Sequence, residues 1–385
     1  MTITIDPQFI TETAVHLVQI DSTNPSLSPD GAGEAAITQY TADLMTRIGL
    51  DVTSYEIAPG RWNVVGHLPG QGGGRSLLLN AHSDTVGVAG MAEPFSGAIR
   101  NGRLYGRGSQ DMKGSLAAML GAAKAIVDGG LTLAGDLLVT AVADEEYRSL
   151  GMEHLVQTVT ADAAIVTEPT DLQLCRAHRG FIWYDIETVG RAAHGSRFQE
   201  GIDANIRMGR FLAELDKLEQ TLRARPPHPL AGPPSLHAAK LHGGTEISIY
   251  AAHCLLQVER RTSPGETVDQ ATAELQAIID QLAAADATFQ ATVNPTFARQ
   301  PFAIEADAPI SQAVSQAIDT VLGQPTPHIG QSFWTDAALL ADAGIETVII
   351  GPTGHGLHSA VEWVEVESIH QLAQILAETA VAWCG

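Results

Sequence analysis

Leu77-Leu78-Leu79-Asn80-Ala81-His82-Ser83-Asp84 is the stretch on which the fold turns. It is an apolar strand that ends in His-x-Asp. With a two-residue period, His82 and Asp84 point to the same side. A carboxylate beside an imidazole fixes its tautomer and raises its basicity, and open α/β folds place their sites at the carboxyl ends of strands. The bland alternative is a capped strand end with a satisfied histidine.

Outward from this strand, segments 9–20 and 35–48 carry the apolar spacing of helices, and 63–68, 76–79, 137–143 and 163–166 read as short buried strands. Segment 113–127 is a helix of small residues, with Ala117, Ala118, Gly121 and Ala122, suited to close packing on a sheet. Gly72-Gly73-Gly74 is a turn. The alternation predicts an α/β domain with a mixed, largely parallel sheet flanked by helices.

The rhythm then changes. Segment 181–189 alternates like a strand, 203–223 is a helix opened by an Asp cap, and five prolines make 226–234 a loop. Segments 236–241, 247–251 and 254–260 carry strand signals. Val268, Ala271, Leu275, Ile278, Ile279 and Leu282 share one helical face, and 289–293 is a last strand. Strand, helix, two strands (the second interrupted), helix, strand describes an inserted ferredoxin-like α/β sandwich. After Pro301 the first pattern resumes, with helices at 309–322, 336–343 and 367–383 and a buried strand at 347–350. The expected division is a domain of 1–177 and 298–385 with an insert of 178–297. No internal repeat or disordered tail is visible.

The whole chain has 385 residues, enough for two domains at roughly 100–200 residues each. Lys and Arg total 22 against 44 Asp and Glu, a net charge of −22. That balance excludes a nucleic-acid binder, whose phosphate contacts need a basic face, and docking on an anionic membrane. No apolar run reaches membrane-spanning length. Met1 to Asp6 lacks a basic region leading into an apolar stretch, so no signal peptide is expected. Cys175, Cys254 and Cys384 are odd in number and far apart, with no CxxC pair, which points to a reducing cytoplasm rather than a disulfide framework.

Four further segments carry chemistry. Gly106-Arg107-Gly108-Ser109-Gln110-Asp111-Met112-Lys113-Gly114 delivers Asp111 just before a helix. A phosphate loop fails on residue order, because Lys113 precedes Gly114. Asp144-Glu145-Glu146 crowds three acids at a strand end, costly without positive charge nearby. One of the glutamates there can bind a cation while the other faces a reacting water; a solvated acidic turn is the alternative. Segment 163–166 ends in Thr167-Glu168, and 348–350 runs into a Gly/Pro turn bearing His355 and His358. Two histidines and three carboxylates gathered at one sheet edge suit two divalent cations, Zn²⁺ and also Co²⁺ or Mn²⁺. Two such cations against Asp111, Glu146, Glu168 and one hydroxide make a neutral site. Glu145 is then left as general base on the water.

The five segments, here AHSDTV, GRGSQDMKG, DEE, TEP and GLHSAVEW, occur in order. In this the chain resembles the zinc-dependent deacylases and exopeptidases that include acetylornithine deacetylase, succinyl-diaminopimelate desuccinylase, aminoacylase and the glutamate carboxypeptidases. The resemblance spans nearly the whole chain. It implies that His82 and Glu168 bind one metal, Glu146 and His358 the other, and Asp111 both, with Asp84 supporting His82. It implies that His194, in Gly190 to Ser196, steadies the oxyanion, and that Arg261, rather than Arg260, grips a substrate carboxylate. Thr335 stands where the family has a substrate-proximal Thr-Asp; a helix N-cap is the alternative. The insert becomes a lid and dimerisation domain, and the chain a homodimer. Val361, Phe198 and Ser248 depart from the family pattern, while Glu362 is retained.

The implied activity is hydrolysis of an N-acyl amino acid or related small amide. The alternatives are a di- or carboxypeptidase using the same site, and a catalytically dead binding or scaffold protein. A strongly acidic protein repels anionic substrates unless positive potential is focused at the site, and a cationic side chain on the substrate eases that conflict.

Overall fold

The computed structural model describes residues 3–385; Met1 and Thr2, the start of the stretch read for a targeting signal, lie outside it. The chain divides into two compact units. One runs to Arg176 and takes in Ile304–Ile329 and Thr335–Gly385; the other is Ala177–Ala303 with Gly330–Trp334.

The first unit is built on a mixed sheet. Its spatial order is Asp51–Ala58, Arg61–Leu68, Leu137–Val142, Leu77–His82, Ala163–Val166 and Glu346–Ile349, after which Cys175 meets Ile349. The four strands from Leu137–Val142 to Glu346–Ile349 are mutually parallel, and the two leading strands are antiparallel. Parallel strands covered on both faces read as continuous apolar runs. Leu77, Leu78 and Leu79 accordingly are 0% exposed, each burial stabilising the fold by about 2 kcal/mol. Helices Pro7–Gln19, Ala35–Ile48, Gly114–Asp128, Pro309–Leu322 and Val366–Cys384 share the core with the sheet. Asp6 starts the first of these by accepting a hydrogen bond from Phe9 N ahead of Pro7.

Because the central strands are parallel, the loops after His82, Val142 and Val166 leave the sheet at one edge. A second, small sheet of Gly354–His355, Trp363–Glu365, Arg103–Tyr105 and Ala98–Arg100 frames the glycine-rich turn before Gly114 and the loop bearing His358. The fifth segment leaves the main sheet by the parallel strand Glu346–Ile349, and His358 itself follows on the hairpin of the small second sheet. The edge strand Asp51–Ala58 escapes sequence reading because one face is exposed and its pattern is mostly polar.

The second unit contains Gly180–Val189, Ala204–Arg223, Ser235–Gly243, His253–Thr262, Val268–Ala285 and Gln290–Arg299, in that order. Its antiparallel sheet has the spatial order Ser235–Gly243, His253–Thr262, Gly180–Val189, Gln290–Arg299, the ferredoxin-like arrangement. Ile182, Tyr184, Ile186, Leu256 and Val258 alternate inward against Met208, Phe211, Leu275 and Ile279 of the two helices. Thr267 and Gln270 close a capping box on the second helix. The strand expected at 247–251 does not form. Tyr250 N bonds Ala193 O and His194 forms only an isolated bridge with Ile249, so this segment spends its backbone groups on a loop. Among the described residues no helix is long and apolar enough to cross a membrane. The three cysteines are free and buried.

Candidate metal centre

His82 closes its strand with a ring that is 1% exposed. Its Nδ1 bonds the main-chain carbonyl of Asp84 at 3.0 Å. A carbonyl only accepts, so Nδ1 carries the proton, and in the neutral ring the lone pair sits on Nε2. That atom stands 2.9 Å from Asp111 Oδ1 and 3.7 Å from Glu168 Oε1. The Asp84 carboxylate is 3.7 Å from Nδ1 and is engaged elsewhere, accepting from Glu145 N at 3.1 Å and Glu146 N at 3.3 Å.

Asp111 lies in a wide turn, 109–113, between Gly108 and the Gly114–Asp128 helix. Gly106 (φ 145°) and Gly108 (φ 79°) take backbone angles that other residues rarely adopt. Glu362 holds the turn: its carboxylate accepts from Gly108 N, Gln110 N and Asp111 N at 3.0–3.2 Å and from Arg107 Nη1 at 2.5 Å. Sequence reading noted Glu362 only as retained, because its partners lie some 250 positions away. The acidic turn leaves its strand at Asp144 (φ 69°), whose carbonyl accepts from the amides of Tyr147, Arg148 and Ser149. The strand has already ended there, so Glu145 and Glu146 are free of strict alternation.

The carboxylates and imidazoles converge in two groups. Ligand atoms of His82, Glu145 and Glu168 lie within 4.8 Å of one another, as do those of His82, Asp111 and Glu146. His358 Nε2 joins the second group, 3.0 Å from Glu146 Oε2 and 3.4 Å from Asp111 Oδ2. Its ring is half exposed, whereas the carboxylates it meets are largely buried.

Crowded charge shapes every group. Burial, together with Glu168 beside it, raises the Glu145 carboxyl well above its usual pKa. Burial and the Asp111 charge do the same to Glu168 and raise Glu146 to about 6. Burial opposes the ionised forms of Asp111 and His82, but their mutual hydrogen bond and the surrounding charges win, lowering Asp111 and raising His82. Hydrogen bonds to Asp111 and Glu146 lift His358 to about 10. Four acids, buried or partly buried, against two imidazoles are a donor set short of positive charge. Divalent cations supply it, so the residues fit a metal pair.

Other named residues are not members of these ligand groups. His355 stacks on Trp363 with ring centroids 5.9 Å apart. Thr335 is buried in the first unit, and its hydroxyl accepts from Ala337 N, the hydrogen bond of a helix start. His194 and Arg261 belong to the second unit. There His194 Nδ1 bonds Ser196 Oγ at 2.9 Å. Arg260 is buried and paired with Glu266 and Glu274, whereas Arg261 lies over the Phe181 ring with Nε on Glu259 Oε1 at 2.7 Å. Phe198 and Val361 are exposed.

Residues 78–382 match Peptidase family M20/M25/M40. The N-formyl-4-amino-5-aminomethyl-2-methylpyrimidine deformylase of Bacillus subtilis (strain 168) is 29% identical over 392 residues, 93% of this chain and 91% of that protein. The acetylornithine deacetylase of Myxococcus xanthus is 30% identical over 334 residues, 84% of each. In fold, a tripeptidase from Staphylococcus aureus subsp. aureus Mu50 superposes with a TM-score of 0.81 over 99% of both chains at 21% identity. The chain belongs to peptidase family M20/M25/M40 and is a metal-dependent amidohydrolase.

Proposed function

We propose that the chain hydrolyses the amide bond of N-acyl amino acids or related small amides. The observation that carries this reading is Glu145, a partly buried carboxylate beside a donor set of two histidines and three other acids. His82 and Glu168 would hold one cation and Glu146 and His358 the other, with Asp111 as the ligand offered to both. The contacts of His358 with Glu146 and Asp111 support leaving Glu145 as the base. Zn²⁺ suits these ligands best, with Co²⁺ and Mn²⁺ as substitutes. When bound, the cations supply Lewis acidity for the amide carbonyl and a water of lowered pKa. Glu145 takes a proton from the attacking water and hands it to the leaving nitrogen. Asp84 keeps the His82 tautomer through its main-chain carbonyl and the acidic turn through its side chain.

In the second unit, His194 serves as an oxyanion donor and Arg261 as the carboxylate grip; Thr335 adds a substrate-proximal hydroxyl. That unit, 178–297 in the sequence reading, acts as lid and dimerisation domain. Ile206, Leu241 and Ile247 are exposed there, as a surface covered by a second copy requires. Free, buried cysteines fit a reducing cytoplasm.

A di- or carboxypeptidase with the same site is the second reading, favoured by the fold likeness to a tripeptidase. A dead scaffold is disfavoured, since the whole ligand set and Glu145 are present. The deciding experiment reloads metal-free protein with Zn²⁺, Co²⁺ or Mn²⁺ and offers N-acetyl, N-succinyl and N-formyl amides beside dipeptides. Metal-restored cleavage, lost about 10²–10⁴-fold in Glu145→Gln with metal still bound, is the expected result. Absence of both metal binding and cleavage rejects the reading.

A further inference from the structure

Behind the acidic turn lies a second buried charge cluster that the ligand set does not use. Glu34, Asp84, Asp144 and Asn24 are 0% exposed and Arg61 is 6% exposed. Three buried carboxylates with one guanidinium are costly unless each is held by directed hydrogen bonds.

The bonds form one chain. Arg61 Nε donates to Glu34 Oε2 at 2.7 Å, and Arg61 Nη2 meets Asp144 Oδ1 at 2.9 Å. Asn24 Nδ2 donates to Asp144 Oδ1 at 3.0 Å and to Asp84 Oδ2 at 2.7 Å. Asn24 Oδ1 accepts from Ser26 N at 2.9 Å. A main-chain N–H only donates, so that bond fixes which end of the amide is oxygen and commits both amide protons to the two acids. Asn24 is itself held in place: its N donates to Thr85 O at 2.8 Å, and Thr23 pairs in parallel with Thr85. The chain ends where Asp84 accepts from the amides of Glu145 and Glu146. Asp144, a second carboxylate of this network, precedes them at a φ of 69°, a conformation that needs outside support in a non-glycine residue.

We propose that Asn24 and Arg61 are positioning residues that, through Asp84 and Asp144, lock the Glu145–Glu146 turn and so set the base against the ligand beside it. This rests on the roles given to Glu145 and Glu146 above. Asparagine suits the position because one neutral amide supplies two donors to two carboxylates without adding charge. Arg61 adds the one positive charge and, with its planar fork, a fixed direction.

The test is Asn24→Asp, which keeps the shape and removes both donors, with Arg61→Lys as a milder variant that keeps charge and folding. Amide hydrogen exchange is read on metal-free protein. Exchange at Glu145 and Glu146 is expected to speed up about 10–100-fold, with the amides of Leu137–Val142 unchanged. Zn²⁺ affinity, by competition titration, is expected to fall about 10–100-fold in Asn24→Asp and less in Arg61→Lys. On any amide the wild type cleaves, kcat falls while KM holds. Wild-type exchange at Glu145 and Glu146 in the folded variants overturns the proposal. So does an equal rise across the whole sheet, the mark of a merely structural role. If the wild type itself binds no divalent cation, the functional reading fails, while exchange on metal-free protein still decides the positioning role.

Discussion

Glu362 holds a candidate ligand without sharing its side-chain contacts. Its carboxylate organises three amides of one turn, those of Gly108, Gln110 and Asp111, and is neutralised by Arg107. Both side chains are almost wholly buried, 3% exposed for Arg107 and 0% for Glu362. Removing one partner of such a pair leaves a charge stranded. Arg107→Met is therefore expected to destabilise the protein by about 3–5 kcal/mol in urea unfolding. Glu362→Gln, which keeps the shape and loses the charge, is expected to weaken metal binding about 10–100-fold in a competition titration. At this scale the candidate donors were legible, because each ends an apolar strand or a glycine turn. Glu362, Asn24 and Arg61 were not, because a lone polar residue carries no local signal of the partner it meets across the fold.

Helix Gly114–Asp128 was legible as an element that packs closely, from its small residues. The structure supplies the partner: a Cβ on Gly121 would sit 2.4 Å from Ile10 Cγ1 in the Pro7–Gln19 helix. Gly121→Ala gains about 1 kcal/mol of helix propensity but forces overpacking that costs about 1–3 kcal/mol. A net loss of stability is expected, read as a lower urea midpoint with metal affinity unchanged; a raised midpoint would show that Ile10 yields freely. Strand Asp51–Ala58 and segment 247–251 mark the opposite limit. The first forms despite a polar pattern because Arg61–Leu68 offers a paired edge. The second has the pattern, yet its groups are taken up by the 193–195 loop.

For the whole molecule the dominant fact is a net charge of −22. Such a field repels an anionic substrate and attracts a cationic one, and salt screens both effects. Raising ionic strength is therefore expected to increase kcat/KM for anionic N-acyl amino acids and decrease it for those with a cationic side chain. The same salt dependence for both would mean that potential local to the site overrides the global charge.

By itself the sequence determined the α/β rhythm and the inserted sandwich and marked the strand-end acids and imidazoles proposed as donors, because periodicity and strand-end chemistry are local properties of the chain. Tertiary structure alone decided that His358 arrives on a separate hairpin and that the Asp84 side chain grips the acidic turn. It also decided that buried pairs from remote segments stand behind the candidate ligands. Hydrogen-bond partners separated by 60 to 255 positions are chosen by how the elements pack, and no local pattern encodes that choice.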